Sequence, residues 1–345
     1  MDRCAEILAY IAPQYAARDY ASLEAQYQEW ATTKPLSGMR ILDATPLFDN
    51  TLLKYRNLLA AGADLTIGLA PFISHNAQTL SFVQEKLALH TISNHQTKSS
   101  ESDYDLILDC AGAYSHLEAR VGYVELTRSG IEYYKNHRKS VYFADSSTIK
   151  EIETEYGTGD SLFRALEQLG YHDFKGKKIV IFGSGKVGRG IRGQALARSC
   201  AVSVVTVVSD RTSAPTDCPV IDFRDTEAAL QAIQEAWAVV MATGVVGALG
   251  ATLDAKRVMA SQALLINMGA QDEFGDQFVR ERLLEDGRTL NFILSEPTHL
   301  RYIAPTMTLH NYGAKFLLEN RNLTGIIKPS AEIEKQILKN FQNSL

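Results

Sequence analysis

Apolar and polar positions along this chain fall into blocks that fit short strands followed by helices. Ile7 to Trp30 carries apolar residues at helical spacing, with Leu23, Tyr27 and Trp30 on one face, and predicts one or two helices broken at Asp19 to Ser22. Met39 to Ala44 predicts the first strand, Leu52 to Ala61 a helix ended by Gly62, and Leu65 to Leu69 a second strand. Leu80 to Leu87 predicts another helix and Leu106 to Cys110 a third strand. Strands that alternate with helices predict a parallel sheet, because parallel neighbours need a crossover between them. A second series follows, with a helix at Gly159 to Leu169 and strands at Lys178 to Phe182, Val202 to Val208, Trp237 to Ala242 and Ala263 to Met268. The expected fold class is therefore α/β, with two Rossmann-like lobes at residues 1–155 and 156–305, the second a doubly wound parallel sheet. Thr306 to Glu319 and Ala331 to Phe341 read as helices that either return to the first lobe or form an oligomer contact.

The strand Lys178 to Phe182 delivers the loop Gly183-Ser184-Gly185-Lys186-Val187-Gly188 directly into a helical segment, Ile191 to Ala197. In a G-x-G-x-x-G loop the first glycine permits a tight turn, the second lets the backbone approach a pyrophosphate, and the third lets helix and strand pack closely. The helix N-terminus then faces the phosphates. This motif predicts a dinucleotide site in the second lobe, against the alternative of a plain structural turn. An acidic residue that binds the ribose is expected about twenty residues further on, where Ser209-Asp210-Arg211 stands. Asp210 suits the diol of NAD, whereas Ser209 and Arg211 suit a 2′-phosphate, so NAD is the first expectation and NADP stays open.

Composition narrows the partners. A formal charge of −5 gives no electrostatic reason to expect nucleic acid. No stretch approaches the roughly eighteen apolar residues of a membrane span, and the N-terminus lacks the pattern of a secretory signal, so a cytoplasmic protein without a membrane partner is expected. Cys4, Cys110, Cys200 and Cys218 are scattered, with no histidine at metal-ligand spacing, so neither disulfides nor a metal site is expected. A small-molecule substrate is the expected partner.

Several phrases, in one order, resemble adenosylhomocysteinase, the NAD-dependent family that cleaves S-adenosylhomocysteine. They are Lys34 to Ile41, Leu59 to Asp64, Leu106 to Asp109, Glu125 to Gly130, Asp145 to Thr148 with Tyr156 to Ser161, the glycine loop, Thr243-Gly244 and Asn267-Met268-Gly269. The resemblance implies a substrate lobe followed by a cofactor lobe, and a homo-oligomer, dimer or tetramer. It places Thr127, Ser129, Thr243, Gly244 and Asn267 near the cofactor. It also implies a mechanism in which bound NAD oxidises a ribose hydroxyl so that a thiol leaves by elimination. The chain departs from the family where acid and base residues are expected, with Pro46, Cys110, Leu126, Ile149, Glu153, Thr154 and Ala270 at those positions. Positions near the cofactor survive and positions around adenosine do not, which implies a changed substrate.

Replacement chemistry needs a group that takes the substrate's proton. Lys150 and Glu153, three apart on a helical segment, are candidates, with a surface ion pair as the alternative. His75 follows the second strand at the edge where open α/β sheets bind ligands, with Asn76 beside it as a substrate contact. Asp43 is a candidate acid or base, and Asn50 and Lys54 can hold a polar substrate or simply serve the helix start. Arg301 and His310 complete the substrate set, Arg301 by its capacity for a bidentate carboxylate pair. Three functions follow: an NAD(P)-dependent oxidoreductase or redox-assisted lyase acting on a polar hydroxylated metabolite, a non-catalytic NAD-binding regulatory protein, or a divergent thioether-nucleoside hydrolase.

Overall fold

A computed structural model describes residues 2–73, 75–94, 103–207 and 215–342. The chain divides into two compact units, one of Met1–Lys150 with His299–Leu345 and one of Glu151–Thr298. Each is built on its own parallel sheet.

In the first unit, strands β1 (Arg40–Asp43), β2 (Asp64–Leu69), β3 (His90–Ser93), β4 (Leu106–Asp109), β5 (Gly122–Glu125) and β6 (Ser140–Phe143) come from the N-terminal part of the chain. The second unit contributes β7 (Lys178–Phe182), β8 (Ala201–Thr206), β9 (Val220–Asp222), β10 (Ala238–Met241) and β11 (Leu264–Asn267), and β12 (Ile326–Ile327) returns to the first sheet. The seven strands of the first sheet run in the order β12-β6-β5-β4-β1-β2-β3, every pair parallel. Strand order therefore reverses between β1 and β4, and Asp43 and Asp109 are the last residues of those two strands. Such a switch point opens a crevice at the carboxyl edge of the sheet.

The helix Leu300–Glu319 covers this sheet. It runs opposite to the strands, since a side chain at Gly122 would meet Leu317 whereas His310 bonds the carbonyl of Val124. It begins before the predicted Thr306, with Pro305 lying inside the helix in its second turn, where the bond to the Arg301 carbonyl is given up. β5 and β6 are buried along their length, but Gly122 and Glu125 in β5 and Ser140 in β6 interrupt the apolar pattern that would mark them in sequence. The segment Leu80 to Leu87 forms the end of a short helix, Ala77–Ser81, and a π-helical turn, Phe82–Lys86.

The second sheet has the order β11-β10-β7-β8-β9, all parallel. Counted from β7, that is the doubly wound 3-2-1-4-5 arrangement with its switch point between β7 and β10. Both faces are packed. Leu162, Phe163, Ile181 and Val204 lie in one core and Phe182, Val239, Leu265 and Phe274 in the other, which explains the continuous apolar run of β7. No helix among the described residues is long and apolar enough to cross a membrane.

Candidate functional site

The glycine loop leaves β7 at the switch point of the second sheet, and each glycine has a separate reason to be one. Gly183 has φ +105°, and a Cβ there would lie 2.2 Å from the carbonyl oxygen of Ala242 and 3.0 Å from the Cα of Thr243. A Cβ at Gly188 would lie 2.1 Å from the carbonyl oxygen of Gly183, so the helix Lys186–Ala197 can pack on the turn only without a side chain there. Gly185 differs: nothing stands within 4 Å of where its Cβ would be. Neither fold nor packing demands a glycine at that point. It is the N-cap of the helix, with no side-chain cap bond and no acidic residue in the first turn, so the positive end of the helix dipole faces outward without a carboxylate beside it in the chain. Ser184 bonds Thr206 at 3.1 Å across the loop, Lys186 opens the helix half-buried, and Val187 packs against the core. Ser209, Asp210 and Arg211 lie outside the described residues.

Beside the glycine turn, the loop after β10 is tied down by a residue that the sequence did not single out. Buried Glu273 accepts the backbone N–H and hydroxyl of Thr243, each at 2.7 Å, and the N–H of Gly244 at 2.8 Å. Burial raises its pKa against the lowering effect of those bonds. Asn267, at the end of β11, braces the following loop: its amide donates to the carbonyls of Gln271 at 2.9 Å and Gly287 at 3.0 Å, and its oxygen accepts from Gly269 at 3.2 Å. Thr243 and Asn267 thus spend their side chains on loop geometry.

The carboxyl edge of the first sheet holds a buried polar cluster. Asp43 and Lys54 form an ion pair with both side chains fully buried, and Asp43 also accepts the N–H of Thr45 at 2.9 Å. Burial pulls the Lys54 ammonium well below the usual lysine range. Next to it, Asp109 accepts the N–H groups of Cys110 and Tyr114 and the Tyr134 hydroxyl at 2.5 Å. Glu125 accepts the N–H groups of Ala111, Gly112 and Thr127 and the Thr127 hydroxyl at 2.6 Å. Ser129 bonds Thr127 at 3.4 Å, so Thr127 and Ser129, which the resemblance assigns to cofactor contact, here brace the loop after β5.

Desolvation pushes Asp109 up to about 6 and Glu125 up to about 8, the latter helped by the charge of Asp109. Unfolded carboxyls titrate near 4, so between those limits the folded protein holds more protons than the unfolded one. Stability of the first unit is therefore expected to fall as pH rises through that window. Glu125→Gln should flatten part of this slope. Urea midpoints at several pH values, read from Trp30 in a Trp237→Phe background, measure it; a midpoint that rises with pH in the wild type would contradict the assignment.

The other expected residues are dispersed. Asn76 caps the helix Ala77–Ser81, its side-chain oxygen accepting from the N–H groups of Gln78 at 2.9 Å and Thr79 at 3.0 Å. His75 is exposed beside it. Asn50 starts the helix Thr51–Ala60 without a side-chain cap bond, and its oxygen lies 3.4 Å from the Thr51 hydroxyl. Arg301 is exposed at the start of its helix with its guanidinium over Tyr302. His310 is fully buried, bonded to the Val124 carbonyl at 2.9 Å, and burial together with the charges of Lys54 and Lys150 holds its pKa well down. Lys150 and Glu153 are both buried, the first ending one unit and the second near the start of the other. No group of metal-ligating side chains occurs among the described residues.

No family model and no curated protein matches this chain. Among solved structures it is similar to a dipicolinate synthase chain from Bacillus halodurans, with a TM-score of 0.48 and 12% identity over 82% of this chain and 98% of that one. NAD-dependent formate dehydrogenase from Staphylococcus aureus in complex with NAD gives 0.40 and 13%, over 82% of this chain and 95% of that one. D-lactate dehydrogenase with NAD⁺ from Lactobacillus jensenii gives 0.36 and 11%, over 82% and 97%. Likenesses this distant assign neither ligand nor activity.

Proposed function

We propose that this chain is an NAD-dependent oxidoreductase whose second unit holds the dinucleotide and whose first unit holds a polar hydroxylated metabolite. One contrast carries the reading. Gly183 and Gly188 are glycines because the fold leaves no room for a side chain, whereas Gly185 has open space in front of it and heads an uncapped helix N-terminus. A pyrophosphate approaching the backbone accounts for Gly185. When bound, the nicotinamide supplies a hydride acceptor, and the chain's own residues supply binding, orientation and proton transfer. The finer reading, redox-assisted lyase chemistry of the adenosylhomocysteinase type, is supported by the resemblance. A substrate other than S-adenosylhomocysteine is supported by Pro46, Cys110, Ile149 and Ala270 standing where that family carries its acid and base residues.

Gly185→Ala tests the site. The variant is expected to fold as the wild type does and to bind NAD⁺ at least about tenfold more weakly, since hydrogen bonds to a charged group are worth about 1.5–3 kcal/mol. Calorimetric titration with NAD⁺ and NADP⁺, together with mass spectrometry of dinucleotide released on denaturation, gives the answer. A wild-type protein that binds neither dinucleotide would sink the proposal.

A second reading, a non-catalytic NAD-binding regulatory protein, draws support from the first unit, where Asp43, Lys54, Asp109 and Glu125 are buried and engaged in internal bonds. Lys150→Ala separates the two. An enzyme that uses Lys150 as its base loses turnover and keeps NAD binding, while a sensor is indifferent.

A further inference from the structure

We propose that Glu273 is a positioning residue of the dinucleotide site, and that its carboxylate sets NAD affinity by holding the Thr243–Gly244 turn against the glycine loop. The inference rests on the reading above and adds to it a residue that neither the glycine motif nor the resemblance contains.

Glu273 is 1% exposed, and three donors from one turn converge on its two oxygens: the Thr243 N–H and hydroxyl on Oε2 and the Gly244 N–H on Oε1. Gly244 adopts φ +72°, a left-handed backbone conformation that glycine takes at no steric cost. Space for the carboxylate is made by Gly269, where a Cβ would lie 2.1 Å from Oε1. Backbone bonds fix the carboxylate's own segment, from Leu249 N–H to the Glu273 carbonyl at 3.1 Å and from Gly250 N–H to the Phe274 carbonyl at 2.9 Å.

The turn so held is the one that abuts Gly183, whose missing side chain faces the Ala242 carbonyl and the Thr243 Cα. With its polar donors directed inward, the loop presents Val245 and Val246 outward, 58% and 64% exposed. Exposed neighbouring valines at the carboxyl edge offer a flat apolar face for a ring of the dinucleotide, and that face is only as fixed as the turn behind it. A neutral carboxyl has one acceptor fewer and must place its own proton among three donors, so protonation loosens the turn. Burial raises the pKa of Glu273, and the facing charge of Asp272, itself paired with Arg280 at 2.8 Å, adds to the rise.

NAD⁺ titration calorimetry at about pH 8 and about pH 5.5 tests this, with folding of the second unit followed by Trp237 fluorescence in a Trp30→Phe background. Wild-type affinity is expected to fall toward acid. Glu273→Gln should bind about tenfold more weakly at the higher pH, in line with one lost charge-assisted bond, and should lose the pH dependence. Thr243→Val keeps both N–H donors and removes the hydroxyl, so its affinity should begin to fall at a higher pH than in the wild type. Glu273→Gln that lowers only the urea midpoint, with NAD⁺ affinity and its pH profile unchanged, would overturn the positioning role while leaving the dinucleotide reading intact. A wild type that binds no dinucleotide removes both.

Discussion

Gly183→Ala is expected to unfold the second unit, or to leave it at the edge of stability, while the first unit stays folded. Two costs add at that position. A methyl group would sit 2.2 Å from the Ala242 carbonyl oxygen, and the residue would be held at φ +105°, where side chains are rarely found. Overpacking of this kind costs about 1–3 kcal/mol, and a strained backbone region about 1–3 kcal/mol more. Together they come to about 2–6 kcal/mol, which at its upper end matches the stability of a marginal domain in the usual range of about 5–15 kcal/mol. Relief is hard because the opposing atom is backbone of the neighbouring strand's loop, not the tip of a flexible side chain. Gly188→Ala meets a carbonyl at 2.1 Å and should behave similarly, though without the dihedral penalty.

The chain provides its own reporters for this experiment, since its two tryptophans, Trp30 and Trp237, fall in different units. Urea unfolding of each single-tryptophan variant resolves the units separately. The expected pattern is a collapsed Trp237 transition with an unchanged Trp30 transition. Equal loss in both would show that the units unfold together. Set beside Gly185→Ala, which leaves folding alone, the series divides one motif into positions that the fold requires and a position that only a ligand requires.

How much of this could be read from sequence follows from how local each requirement is. The turn after Phe182 was legible because its glycines answer to atoms supplied by the strand and helix they join, together with one neighbouring strand. β1, β2, β4 and β7 were legible as apolar runs between helices. β3, β5, β6 and β9 were not: β3 and β9 mix polar with apolar residues and are nowhere fully buried, β6 opens on Ser140, and Gly122 and Glu125 sit in β5 only because neighbours on both sides bury it. The same holds for the polar groups. Glu125 and Glu273 look like any surface glutamate until loops at Ala111–Gly112 and Thr243–Gly244 fold over them and supply N–H donors. Asp43 and Lys54 were each singled out for the edge of the first sheet, but their pairing depends on the helix Thr51–Ala60 turning back along β1, which no local pattern specifies.

That pair gives the second large effect. Lys54→Met is expected to destabilise the first unit by about 3–5 kcal/mol, the usual result of removing one partner of a buried ion pair. The loss comes less from a forfeited attraction than from Asp43, which would remain fully buried and still accept from the Thr45 N–H, but without its cation. Asp43→Asn alone should cost less, since a carboxamide oxygen still accepts from Thr45 and the stranded Lys54, whose pKa burial already lowers, can give up its proton. The double variant Asp43→Asn with Lys54→Met should recover much of the stability lost in Lys54→Met, because no buried charge is then stranded. The Trp30 transition in urea measures all three, and a double variant as unstable as the sum of the singles would show that the two side chains do not interact. Function is read from the same proteins. If the switch-point pair only holds the edge of the sheet together, the restored double variant should reduce NAD⁺ with substrate at the wild-type rate. If Asp43 takes part in proton transfer, stability returns and turnover does not, which separates a structural ion pair from a catalytic one without relying on an unfolded protein.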